Sequence, residues 1–96
     1  MRGEHPALVV QNNKNNRYSG VIIVVPITTN LRVADLPVGV RIDPPEGGLR
    51  RPSVIHCGQI HTVDKSEFTN ENSSGNISVE KMLEVNEALK ISLELI

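Results

Sequence analysis

Two apolar runs near the N-terminus set the pattern for the rest of the chain. Residues 6–11 read PALVVQ and residues 20–30 read GVIIVVPITTN, with the polar stretch NNKNNRYS between them. Val and Ile are stiff at χ1 and suit a pleated strand better than a surface helix, so both runs are expected to be strands. The four Asn of the polar stretch suit a turn, because Asn tolerates left-handed backbone and caps its own chain. The three segments predict one antiparallel hairpin. Pairing Gln11 with Ile22 brings His5 opposite Thr28, an imidazole beside a hydroxyl at the mouth of an apolar ribbon. Nothing precedes Pro6 to pair with the outer edge of the first strand, so that edge is expected to be open or covered by a partner.

Shorter elements follow. Residues 31–39 (LRVADLPVG) read as a loop or one helical turn, and residues 38–42 (VGVRI) alternate as a strand does. The segment DPPEGGLRRP is too rich in Pro and Gly for a sheet interior and reads as a loop. Residues 53–57 (SVIHC) and 59–63 (QIHTV) predict two short strands, with Gly58 as a bulge or bend between them. Residues 64–69 suit a short helical turn, and NENSSGN a loop. The last element is a helix. Ser78 suits its N-cap, Glu80 lies in the first turn, and Ile77 with Met82 forms a hydrophobic staple. Met82, Val85, Leu89, Leu93 and Ile96 recur at helical spacing and predict one packed stripe. The expected architecture is mainly β: about five antiparallel strands with a C-terminal α-helix.

Composition narrows the function. A chain of 96 residues makes a single domain with a modest core, which dimerisation would help to stabilise. With one Phe, one Tyr and no Trp, that core is aliphatic, and base stacking on aromatic rings is almost excluded. Net charge is −1 but unevenly placed: residues 1–66 carry +3 and all three His, whereas residues 67–96 carry −4. The mildly basic β part suits phosphate, and the acidic tail suits a solvated helix face. Cys57 is the only cysteine, so no intrachain disulfide or cysteine-based zinc site is expected, and a small buried apolar role suits it. No signal peptide and no apolar run of about eighteen residues is present, which predicts a soluble cytoplasmic protein without membrane contact.

The motifs ALVVQNN, NRYSG and VVPITTN, then GGLRRPSVIHCGQIHTVDK and MLEVNEALKISLEL, occur in that order. Together they make residues 5–96 resemble the MazF/PemK family of toxin ribonucleases. The resemblance implies a small SH3-like barrel with a C-terminal helix, working as a homodimer. It implies cleavage of single-stranded RNA at short sequences without a metal or other cofactor, and a cognate antitoxin whose tail occupies the RNA groove. Three departures stand out. The family's opening strand and its Gly-x-Glu loop do not precede His5, so the domain is expected to be N-terminally truncated. His5 stands where the family has a catalytic Arg, although the matching catalytic Thr is kept as Thr28. His61 replaces the Arg of QIRTVDK.

RNA cleavage without a metal needs one proton removed, another supplied, and negative charge on phosphorus stabilised. A guanidinium stabilises charge but transfers protons poorly, whereas an imidazole titrates near neutrality. His5 and Thr28 are therefore the catalytic candidates, His5 as base or acid and Thr28 as hydrogen-bond donor to a non-bridging oxygen. By resemblance, Asn12, Arg17, Thr29, Asn30 and Gln59 are the RNA-binding candidates. Each has a plainer alternative: His5 as a terminal residue, Thr28 as a strand-end cap, Lys14 and Arg17 as solubilising charges, Gln59 as a sheet hydrogen bonder. Arg50 and Arg51 read as surface charges, and His56 and His61 as structural rather than metal-binding. Two further function classes stay open: a relative that binds antitoxin or nucleic acid without cutting, and a toxin directed at a protein target such as gyrase.

Overall fold

The computed structural model describes residues 6–10, 20–64, 66 and 75–95. Among the described residues, five strands and one α-helix are joined with two 3-10 turns, Leu31–Asp35 and Glu46–Gly48. The strands are β1 (Ala7–Val9), β2 (Val21–Thr28), β3 (Gly39–Ile42), β4 (Ser53–His56) and β5 (His61–Asp64), and the helix is α1 (Val79–Leu93). Every strand pairing is antiparallel. The β1–β2 pairs are Ala7 with Pro26, Leu8 with Val25 and Val9 with Val24. This is the register that sets Gln11 against Ile22, but His5 and Gln11 themselves lie outside the described residues.

β2 is the strand that the others share. The Ile27 N–H donates to Pro6 O, and Val10 N–H donates to Ile23 O, so odd-numbered residues of β2 direct their backbone groups to β1. Even-numbered residues therefore face the opposite edge. There β5 pairs with positions 21–24 and β4 with positions 27 and 28. Pro26, which has no N–H to give, falls where one partner ends and the next begins, so its place inside a long strand loses little. β3 then pairs with the far side of β4. Among the described residues β1 and β3 remain unpaired with each other, so the sheet curls toward a barrel without closing.

Alternation sorts the strands into two faces. One carries Leu8, Val10, Val25, Ile27, Val40, Ile42, Ile55 and Cys57, packed with Val85 and Ala88 of α1. Val25, Ile42, Ile55, Cys57 and Val85 are fully buried there. The core is aliphatic, as the composition requires. The opposite face includes Ile22, Val24 and Val54, also buried.

Two expectations need correction, the start of the last strand and the length of the packed helical stripe. The strand expected over residues 59–63 begins at His61, because Gly58 sits in a turn and gives its N–H to His56 Nδ1 at 3.1 Å. Gln59 is left exposed in that turn, its N–H donating to His56 O at 3.3 Å. The helical stripe is centred on Val85 and Ala88, with Met82 and Leu89 partly buried beside them. Leu93 is 52 % exposed, in the last turn before the helix ends in a left-handed cap at Glu94. Ile96 lies outside the described residues, as does most of the turn expected over residues 64–69.

The helix start is as expected. Ser78 Oγ accepts from Lys81 N–H at 3.1 Å. Ile77 and Met82 pack on the same core.

Candidate nucleic-acid interface

Thr28 ends β2, opposite Val54 of β4. Its Oγ1 accepts the Asn30 N–H at 3.1 Å. Asn30 Oδ1 in turn accepts the Arg32 N–H at 3.2 Å, which caps the 3-10 turn Leu31–Asp35. These two local bonds turn the chain at the strand end, a use for which Thr and Asn are well suited. The plainer role expected of Thr28, capping a backbone group, is thus present. It does not exhaust the side chain, because a hydroxyl that accepts one bond still has its O–H to donate. Similarly, the Asn30 oxygen is engaged while its amide NH₂ group remains for a second partner. Thr29 and Asn30 are exposed and Thr28 is half-buried.

Registers extend this corner into a face. Arg41 of β3 pairs with Val54 from the other side, so Thr28, Val54 and Arg41 form one row. His56 follows Val54 by two residues and lies on the same face, opposite Gly39. His61 of β5 pairs with Val24, which is four residues before Thr28 on that face. The face away from α1 therefore carries a hydroxyl, a guanidinium and two imidazoles over an apolar floor. Arg41 is partly neutralised by Asp43, whose Oδ1 accepts from Nε at 3.3 Å and from one Nη at 3.2 Å.

The structure brings Thr28, Thr29 and Asn30 together in one turn. Gln59 lies in the connection that carries the chain from Ile55, opposite Ile27, to His61, opposite Val24. Five residues there span two positions of β2, so the connection stands off the strand edge. His5, Asn12 and Arg17 lie outside the described residues. Arg50 and Arg51 are exposed. His56 and His61 occupy different strands, and no group of three His, Cys, Asp or Glu suited to a metal occurs among the described residues. Cys57 is fully buried, and desolvation pushes its thiol up to about 11, so it is an inert packing residue. Sequence reasoning missed Arg41 and His56 as members of this face. The signal was the strict alternation of VGVRI and SVIH, which becomes usable only once both registers onto β2 are known.

Comparison with known proteins decides which family the chain belongs to. A family model described as PemK-like, MazF-like toxin of type II toxin-antitoxin systems matches residues 1–93. The chain belongs to this family. It is 44 % identical over 94 residues to endoribonuclease EndoA of Bacillus subtilis (strain 168), a match spanning 98 % of this chain and 79 % of that protein. It is 38 % identical over 93 residues to endoribonuclease MazF of Staphylococcus epidermidis, spanning 97 % of this chain and 76 % of that one. Among solved structures, an endoribonuclease from a mycobacterial species in complex with its cognate antitoxin superposes with a TM-score of 0.82. That match is 28 % identical and covers 96 % of this chain and 82 % of the other. The Mycobacterium tuberculosis toxin MazF-mt6 shares the fold at a TM-score of 0.82 and 23 % identity, over 94 % of this chain and 86 % of that one. The half-closed sheet with its C-terminal helix is therefore the fold of these toxins.

Proposed function

We propose that this chain is the RNA-cleaving toxin of a type II toxin–antitoxin pair. The observation that carries the proposal is the position of Thr28, a hydroxyl oriented by the Asn30 amide at the rim of a face whose other polar groups include Arg41, His56 and His61. Donors of this kind suit phosphate oxygens and the charge that develops on them.

The chemistry is an internal transfer. The ribose 2′-oxygen loses its proton and attacks the adjacent phosphorus. The bond to the 5′-oxygen breaks, that oxygen takes up a proton, and a 2′,3′-cyclic phosphate and a 5′-hydroxyl result. Thr28 donates to a non-bridging oxygen as charge builds. His5, standing where the motif of the resembled family has Arg, accepts or supplies the proton. Thr29, Asn30 and Gln59 hold the strand, and the family resemblance adds Asn12 and Arg17 to the same contacts. Such an enzyme works where RNA is exposed, in the cytoplasm, and no helix among the described residues is long and apolar enough to cross a membrane. A cognate antitoxin and a second copy of the chain are its expected partners. A mycobacterial relative solved with its antitoxin supports the first of these.

The test is incubation of the purified protein with a long RNA in EDTA, followed by mapping of both new ends. Cuts at a recurring short sequence, bearing cyclic phosphate and 5′-hydroxyl ends, are expected. Intact RNA, or cuts that EDTA abolishes, would overturn the proposal.

A further inference from the structure

His56 is held in one orientation by two independent features. The Gly58 N–H donates to its Nδ1 at 3.1 Å. In the neutral ring the proton must then sit on Nε2, because Nδ1 is the acceptor. Gly58 also leaves the ring its space: a Cβ added there would lie 2.8 Å from His56 Cε1 and 3.1 Å from Val38 Cγ2. A side chain at position 58 would therefore require the ring to shift from its present place beside the amide. Across β3, the residue paired with His56 is Gly39, which has no side chain to cover the imidazole. The ring is half-buried rather than enclosed.

His56 lies on the same face of the sheet as Thr28. Thr28 pairs with Val54, so His56, two residues further along β4, is its diagonal neighbour at about 7–8 Å between backbone positions. Arg41, paired with Val54 from the other side, completes the group. We propose that His56 is a substrate contact on this face, its Nε2–H donating to a phosphate oxygen of the RNA strand seated against Thr28. The inference rests on the RNA-cleaving reading of the face. It assigns His56 to binding rather than to proton transfer, because Nδ1 is occupied by the Gly58 amide and Nε2 carries the proton.

The experiment compares parent protein with His56→Ala, His56→Gln and Gly58→Ala, each checked for an unchanged thermal transition. The probe is a long single-stranded RNA in EDTA, with KM and kcat read separately and direct binding of the same RNA read by fluorescence anisotropy. His56→Ala is expected to raise KM and the dissociation constant about three- to tenfold with kcat nearly unchanged. His56→Gln is expected to restore both, because its amide nitrogen carries a donor close to the Nε2 position. Gly58→Ala is expected to reproduce the loss with the imidazole still present, because the new Cβ displaces the ring. An unchanged KM in His56→Ala, a Gln variant as poor as the Ala variant, or a collapse of kcat at constant KM would overturn the inference. A parent that binds RNA without cutting it overturns the cleavage reading alone, since the binding series still reads His56. A parent that neither binds nor cuts overturns both.

Discussion

Glu46 caps a helix whose N-cap residue lies 32 positions after it: its Oε2 accepts the backbone N–H of Ser78 at 2.7 Å. Ser78 is the N-cap of α1, and its own Oγ accepts from Lys81 N–H. In a capping box the residue three positions into the helix returns a carboxylate to the cap N–H. Here that position is Lys81, and the carboxylate comes instead from the loop between β3 and β4. The loop is pressed onto the helix start by Gly47 N–H, which donates to Asn76 O at 3.1 Å. A Cβ at Gly75 would meet the Gly47 carbonyl carbon at 2.9 Å. The cap therefore joins the second 3-10 turn, Glu46–Gly48, to the only α-helix among the described residues.

This cap predicts a pH dependence. The Ser78 backbone bond, then the bond to the Ser78 side chain, holds the Glu46 carboxyl below its ordinary value of 4.5. A carboxylate depressed in the folded state stabilises the fold above the unfolded value and loses that contribution as pH falls through the folded one. The parent is therefore expected to melt higher than Glu46→Gln at pH 7, with the gap narrowing below pH 4.5. Thermal melts of both proteins across pH 3–7 (about the range where carboxylates titrate) check this. A gap that stays constant to the acid end contradicts it.

Gly39 supports the first 3-10 turn at close range. A Cβ there would sit 2.1 Å from the Val33 carbonyl oxygen and 3.1 Å from Ala34 Cα. Both are backbone atoms, so neither can swing away. Gly39→Ala is expected to lower stability by about 2 kcal/mol or more, within the range of overpacked sites. Gly20→Ala is the control, since a Cβ there meets nothing within 4 Å and is expected to change stability by less than about 0.5 kcal/mol. Urea denaturation of the two variants and the parent gives both numbers.

The hairpin register and the Ser78 cap were legible because each depends on local chemistry. Val-rich arms have few ways to pair, and an N-cap is read from its own neighbours. The Glu46 cap was not, because no local pattern joins residues 46 and 78. Nor was the start of β5, because QIHTV alternates well enough to be a strand from its first residue. What delays it is a bond between Gly58 and the ring of His56. Leu93 keeps helical spacing but is exposed, since periodicity does not reveal which turns of a helix find a packing partner. At the candidate site, Thr28 was found through its motif. Arg41 and His56 came into view only when the pairings of β3 and β4 fixed which face each side chain shares.

Cys57 is expected to resist thiol reagents in the folded protein. It is fully buried in the core beneath α1, and desolvation pushes its thiol up to about 11. Little thiolate exists at neutral pH, and no reagent reaches it without opening the core. Alkylation at pH 8 is expected to proceed at least about a hundredfold faster in denaturing urea than in buffer, following the population of the opened state. Comparable rates in the two conditions would place the thiol outside the core.

Thr28 provides the sharpest test of the proposed chemistry, because its side chain has two separable jobs. Thr28→Ser keeps the hydroxyl that accepts from Asn30 N–H and the O–H proposed to reach phosphate. It is expected to retain cleavage within about tenfold. Thr28→Val preserves volume and β-branching but removes both functions. Loss of a donor to a charged transition state typically lowers kcat by about 10² to 10³-fold, and that drop is expected here. The stability cost is expected to stay below about 1.5 kcal/mol, because Asn30 is exposed and its freed amide is solvated by water. Initial cleavage rates on a long RNA, measured beside urea melts, separate the two effects. A Val variant that cuts at the parent rate removes Thr28 from the reaction, whatever its role in the turn.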